Sequence, residues 1–154
     1  MTYVVSDLHG CFEKFKKLLR EIRFNDNDVM YVIGDIVDQG DESMELLCDL
    51  SMRFNVIPIL GDHDLRALKL LGELDKMLRD GVTPDAEVLG EMTEWIRDGG
   101  QKTMEGFKAL DDDMKEGVLD GMIFECNAEM GLGMQSELWL RDWIKKNKYT
   151  EIPD

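Results

Sequence analysis

Three short segments hold most of the side chains that could do chemistry: Ser6-Asp7-Leu8-His9-Gly10, Gly34-Asp35-Ile36-Val37-Asp38-Gln39-Gly40 and Gly61-Asp62-His63-Asp64. The chain has 2 histidines, His9 and His63, and both lie in these segments. Carboxylates offer hard oxygen donors, and imidazole offers a nitrogen that suits transition metals. The neighbouring glycines let the backbone turn sharply, so that side chains one or two positions apart converge. Asp7 and His9 fall on the same side of an extended tail. The chemistry these groups suit is cation binding. The plainer alternative, that each Asp merely ends a strand in a turn, must also account for their spacing. Asp7 and Asp35 are 28 positions apart, and Asp35 and Asp62 are 27 apart.

That interval is the length of one strand–helix–strand unit. Thr2 to Ser6 is a β-rich run. Phe12, Phe15, Leu18, Leu19 and Ile22 then recur at helical spacing. Asn25-Asp26-Asn27-Asp28 is turn chemistry. Val29 to Ile33 is a second strand, a helix covers Ser43 to Phe54, and Val56 to Leu60 is a third strand, with Pro58 as its unusual member. Near-continuous apolar strands suit a buried parallel sheet. Each Asp then sits at the carboxyl end of its strand, the edge where open α/β sheets place ligands. Asp35 is expected between the ligands of the first and third strands, where it could bridge two cations.

Beyond His63 the pattern is mostly helical. Leu65 to Arg79, Pro84 to Ile96 and Gln101 to Leu110 read as helices, with a break at Gly99-Gly100. Asp111-Asp112-Asp113 reads as a solvated helix start, where acids favour the helix dipole. Gly121 to Cys126 reads as a strand. Ser136 to Lys146 reads as an amphipathic helix with Leu138, Trp139, Trp143 and Ile144. A single domain over 1–154 is expected, with a βαβαβ part at 1–64 and a helical and C-terminal part at 65–154.

The three segments resemble the motifs GDxHG, GDxVDRG and GNHE/D of the serine/threonine phosphoprotein phosphatases and the wider calcineurin-like metallophosphoesterases, in the same order and at similar spacing. Gly99-Gly100-Gln101-x-Thr103 is similar to a glycine-glycine segment of bacterial and phage-type members. The run Ile123 to Ala128 looks like a family strand ending in a His-Ala pair, and Leu138-Trp139-Leu140-Arg141 looks like a Trp-x-Arg segment. The resemblance implies an α/β sheet with flanking helices and a two-metal phosphomonoester hydrolase. It implies that Asp7, His9 and Asp35 hold one divalent metal, and that Asp35 and Asp62 reach a second. Metal-bound water attacks phosphorus in line. His63 protonates the leaving oxygen, oriented by Asp38, and Arg141 clamps the phosphoryl oxygens.

This sequence departs from the family pattern in four places. Gln39 stands where the family has a phosphate-binding Arg, and Asp62 where it has Asn. Asn127 falls on a metal-binding His, where an amide oxygen is the weaker ligand. The chain also ends soon after Trp143, where the family continues to a further metal histidine. The fold is therefore expected to be incomplete at its C-terminal end, and a second copy of the chain is one candidate to cover the gap. The first site keeps three ligands, and a single Mn²⁺ or Mg²⁺ suits it better than a tight two-metal centre of Mn²⁺, Fe or Zn²⁺. Two further readings stand beside the hydrolase: a catalytically impaired binding module on the same scaffold, and a fragment of a longer phosphatase.

The composition agrees with this reading. A 154-residue chain with 44% hydrophobic and 33% charged residues builds one soluble globular core. A formal net charge of -15 repels nucleic acid, and it repels an anionic phosphoester unless a cation inverts the local sign. The substrate expected is a phosphoprotein or a small phosphoester. The 3 cysteines, Cys11, Cys48 and Cys126, show no CxxC spacing, which suits a reducing compartment. No apolar run approaches a membrane span, and the expected location is the cytoplasm.

Overall fold

The computed structural model describes residues 1–132, with side chains described through residue 125. Its centre is a parallel sheet of β1 (Thr2–Ser6), β2 (Val29–Ile33) and β3 (Val56–Ile59) in the order β1-β2-β3. Thr2 pairs with Val29 and Ser6 with Ile33, and on the other side Ile33 pairs with Ile59. The strand ends are thus level, and residues 7, 35 and 60–62 leave the sheet along one edge. β2 is central, as Asp35 requires. Val32 and Met30 are fully buried in it, while Pro58 lies on the edge strand β3, where its missing N–H costs no ladder bond.

The crossovers are α1 (Phe12–Glu21) and α2 (Ser43–Met52). Phe15 and Leu19 of α1 and Met44, Leu46 and Leu50 of α2 turn into the core. α3 (Asp62–Asp80) is longer than the Leu65–Arg79 pattern indicated. It starts directly at Asp62 and ends on Gly81 in the left-handed conformation. Ala67, Leu70, Leu71 and Leu74 form its buried stripe at the i, i+3, i+4, i+7 spacing. α4 (Ala86–Trp95) is capped by Asp85, whose side chain accepts from the Val88 N–H. A kinked π-helical turn, Ile96–Gly100, carries Gly99 at φ +108° and leads into α5 (Gln101–Lys108). This turn sits at the break foreseen at Gly99-Gly100.

One expectation is overturned. Gly121 to Cys126 is not a strand but part of α6 (Asp112–Leu132). Ile123-Phe124 invited a β reading, yet both are exposed, and the residues that face inward are Val118 and Met122, one helical turn apart. Asp111 heads this helix by accepting the Met114 N–H, as the acidic run suggested. Asn127 therefore lies on a helix rather than at a strand end. Its side chain, that of Cys126, and the whole of Leu138 to Arg141 lie outside the described residues. Among the described residues no helix is long and apolar enough to cross a membrane.

Candidate metal centre

The loop after each strand is held by main-chain bonds that cross between loops. The His9 N–H donates to the Asp35 carbonyl (2.9 Å), the Gly10 N–H to the Ile36 carbonyl (2.8 Å) and the Gly40 N–H to the His9 carbonyl (2.9 Å). The first and second segments are thereby laced together. The third joins through Asp64. One of its carboxylate oxygens accepts the N–H groups of Ile36 (2.9 Å) and Val37 (3.0 Å), and the other accepts that of Gly61 (2.9 Å). Asp64 is fully buried. Burial pushes its carboxyl up to about 6, while the three N–H donors pull the other way.

Among the described residues six non-glycine residues have positive φ, and five of them are Asp7, His9, Asp35, Asp38 and Gln39. Left-handed backbone costs of order 1 kcal/mol or more for each such residue, and it persists where surrounding structure enforces it. Here the enforcing structure is the lacing just described. Gly61 allows a close approach: a Cβ there would stand 2.7 Å from the Asp35 N and 2.8 Å from its Oδ1.

The result is a cluster. One carboxylate oxygen of Asp7, one ring nitrogen of His9 and one carboxylate oxygen of Asp35 lie within 4.8 Å of one another. Ligand atoms that share an ion at about 2.0–2.2 Å can be at most about 4.4 Å apart, so a shift of a few tenths of an ångström closes this set on a cation. The His9 ring is oriented for it. Its Nδ1 lies 3.1 Å from the Val37 carbonyl, which can only accept, so Nδ1 carries the proton. Nε2 keeps its lone pair and faces Asp7 Oδ1 at 3.9 Å. A backbone carbonyl that fixes a ligating imidazole is a common outer-shell arrangement in metal sites. Among the described residues this is the one group of three such ligands. Asp62, the first residue of α3, is outside it.

Beside the cluster is a second constellation. Asp38 is fully buried and accepts four contacts. His63 Nδ1 lies 3.0 Å from its Oδ2, and Trp95 Nε1–H lies 3.0 Å from both oxygens. Thr103 Oγ1–H donates to Oδ1 at 2.9 Å. The Asp38 N–H in turn donates to Thr103 Oγ1 (3.0 Å). Asp38 thus anchors the His63 ring, and His63 also lines an open cavity. The two imidazoles meet edge to face with centroids 5.4 Å apart.

The structure therefore brings together Asp7, His9, Asp35, Asp38 and His63, with Asp62 next to His63. Arg141 and the Asn127 side chain are not described. Sequence reasoning missed Trp95 and assigned no role to Asp64. Trp95 carried a legible signal, because a Trp on the apolar face of a predicted helix needs an acceptor for its indole N–H.

A carboxylate–imidazole cluster able to hold a cation thus lies on the ligand edge of a parallel sheet, with a carboxylate-anchored histidine beside it. The family model for calcineurin-like phosphoesterases matches residues 2–153, and the chain belongs to that family. Among curated relatives, it is 32% identical over 95 residues to the symmetrical bis(5'-nucleosyl)-tetraphosphatase of Wigglesworthia glossinidia brevipalpis, a match that covers 56% of this chain and 35% of the relative. It is 40% identical over 78 residues to the enzyme of the same name from Haemophilus ducreyi, covering 49% of this chain and 29% of the relative. The matches thus span about a third of the length of these relatives. A crystal structure described as that of a candidate diadenosine tetraphosphatase overlaps 58% of this chain and 40% of its own, at 30% identity and a TM-score of 0.43.

Proposed function

We propose that this chain is a metal-dependent hydrolase of small phosphoesters, with bis(5'-nucleosyl) tetraphosphates as the first substrate class to try. The observation that carries the proposal is the Asp7–His9–Asp35 cluster within 4.8 Å, its histidine already in the ligating tautomer. A divalent cation held there, Mn²⁺ or Mg²⁺ by the oxygen-rich donor set, would supply Lewis-acid activation of water and of the phosphoryl group. The chain's own residues do the rest. Asp35, in the loop after the central strand, would help hold that cation beside His63. His63, held by buried Asp38, delivers a proton to the leaving oxygen as the bond to phosphorus breaks. Symmetrical cleavage would cut the tetraphosphate bridge at its middle and release two nucleoside diphosphates.

The relatives named above act, by name, on dinucleoside tetraphosphates. The small-molecule half of the expected substrate range is therefore favoured over a phosphoprotein. The test is hydrolysis of diadenosine tetraphosphate with excess Mn²⁺, followed by chromatography of the nucleotides. Adenosine diphosphate should appear, and Asp35→Asn should reduce its rate of formation at least about a hundredfold. Equal rates for the two proteins would end this reading. Release of phosphate from an aryl phosphate alone would return preference to a phosphomonoesterase.

A second reading has one observation behind it. Asp62 lies outside the three-ligand cluster, so the described residues assemble one cation site rather than two. On that reading the chain keeps a cation and a scaffold and serves as a binding module. One bound Mn²⁺ with no turnover of either substrate would favour it.

A further inference from the structure

The cavity beside His63 has a volume of about 410 Å³ and is lined by Asp62, His63, Arg66 and Asp98. His63 is accounted for by Asp38, and Asp62 opens α3. Arg66 has no part in the site described so far. It lies three positions after His63 on α3, so both side chains rise from the same face of the helix. Its Nη1 donates to Asp98 Oδ2 at 2.9 Å, and its Nη2 stands 3.9 Å from Asp38 Oδ2, too far for a hydrogen bond. Among the described residues it is the only arginine or lysine lining this cavity.

Its partner is loosely held. The Asp98 side chain is 52% exposed, against 29% for Arg66, and it belongs to the kinked turn, next to Gly99 at φ +108°. The Gly99 carbonyl accepts the N–H of Gln39 at 2.8 Å, so this turn also closes over the second loop segment. An ion pair this exposed is weak. A polyphosphate chain entering the cavity brings several negative charges against the single one of the Asp98 carboxylate, and the guanidinium fork suits its oxygens.

We propose that Arg66 is the anion-holding residue of the site: it gives up Asp98 and takes a phosphate oxygen of the substrate beside His63. The proposal rests on the hydrolase reading above and names the group that binds the substrate's phosphates. The chain needs such a group. With a net charge of -15, it meets a polyphosphate with repulsion everywhere except where a cation is placed. Without substrate, Asp98 keeps the guanidinium aimed across the cavity mouth. With substrate, Asp98 turns out to solvent, which its exposure allows. Arg66 acts on binding and positioning only, and no bond is made or broken at it.

The test reads binding, not turnover. Adenosine diphosphate is titrated calorimetrically into wild type, Arg66→Ala, Arg66→Lys and Asp98→Asn, all in excess Mn²⁺. The Mn²⁺ affinity and Tm of each protein are measured alongside. Arg66→Ala should weaken the nucleotide about tenfold to a hundredfold with Mn²⁺ affinity unchanged. Arg66→Lys should recover part of the loss. Asp98→Asn, which frees the guanidinium, should tighten the nucleotide. If wild type binds but Arg66→Ala binds equally well, or if Arg66→Ala and Asp98→Asn weaken binding alike, Arg66 serves only the fold and the proposal is overturned while the hydrolase reading stands. If wild type with bound Mn²⁺ takes up no nucleotide, both fall together.

Discussion

Asp38 shows how the site works at the scale of single residues. It sits fully buried with His63, Trp95 and Thr103 donating to it, so its carboxylate is fixed in position before any substrate arrives. A buried carboxylate with this many donors holds the imidazole in one orientation and one tautomer, which is what a proton donor to a leaving oxygen needs. Asp38→Asn keeps the shape but offers one acceptor oxygen instead of two. The amide N–H₂ must then face either the His63 Nδ1–H or the Thr103 hydroxyl. We expect turnover of diadenosine tetraphosphate to fall about a hundredfold or more with Mn²⁺ affinity unchanged. Equal loss of Mn²⁺ binding would instead make Asp38 part of the cation site. The resemblance of their segments to the family motifs implied that Asp38 orients His63. It did not show their anchors, since Trp95 and Thr103 are 57 and 65 positions away and meet Asp38 only through tertiary packing.

At the scale of elements, the level ends of three parallel strands set the site. Their spacing of 28 and 27 residues was legible because a crossover of that length leaves little choice of topology. α6 was not legible in the same way. Its Ile123-Phe124 pair mimics a strand, and only the packing of Val118 and Met122 shows that the inward face is helical. The first strand is tied to the turn before the second by Asp28. Its carboxylate accepts the Met1 amino group at 2.8 Å and the Asn25 N–H at 3.0 Å. These contacts, first the amino group and then the Asn25 N–H, hold its pKa below the usual carboxylate value. A carboxylate depressed in the folded state contributes stability above its unfolded pKa and loses it as the pH falls through its folded one. Asp28→Asn should therefore melt at a lower temperature than wild type at pH 7, and the gap should close in acid, as the pH falls through the depressed pKa of Asp28. A gap that is constant across this range would mean that the ion pair is not the source of the stability.

The whole molecule is an acidic body with its ligand chemistry gathered at one sheet edge. A formal charge of -15 opposes any polyphosphate, and on the proposals above a cation held by Asp7, His9 and Asp35, together with Arg66, would be the local exception. The family assignment covers residues 2–153, whereas the described structure accounts for the strand-end half of the expected site. The strained loops make sense at this scale. Five left-handed non-glycine residues crowd the sheet edge, stabilised elsewhere by a core that includes Trp95, Phe15, Phe107 and Leu70. Everything proposed about hydrolysis depends on a divalent cation sitting among Asp7, His9 and Asp35. The direct measurement is Mn²⁺ titration of the intact chain, read by paramagnetic resonance of the free ion, with Asp35→Asn alongside. The account predicts saturable binding of Mn²⁺ by wild type, weakened at least about tenfold in the variant by the loss of one charged ligand. Binding that is absent in wild type, or equal in the two proteins, would contradict it.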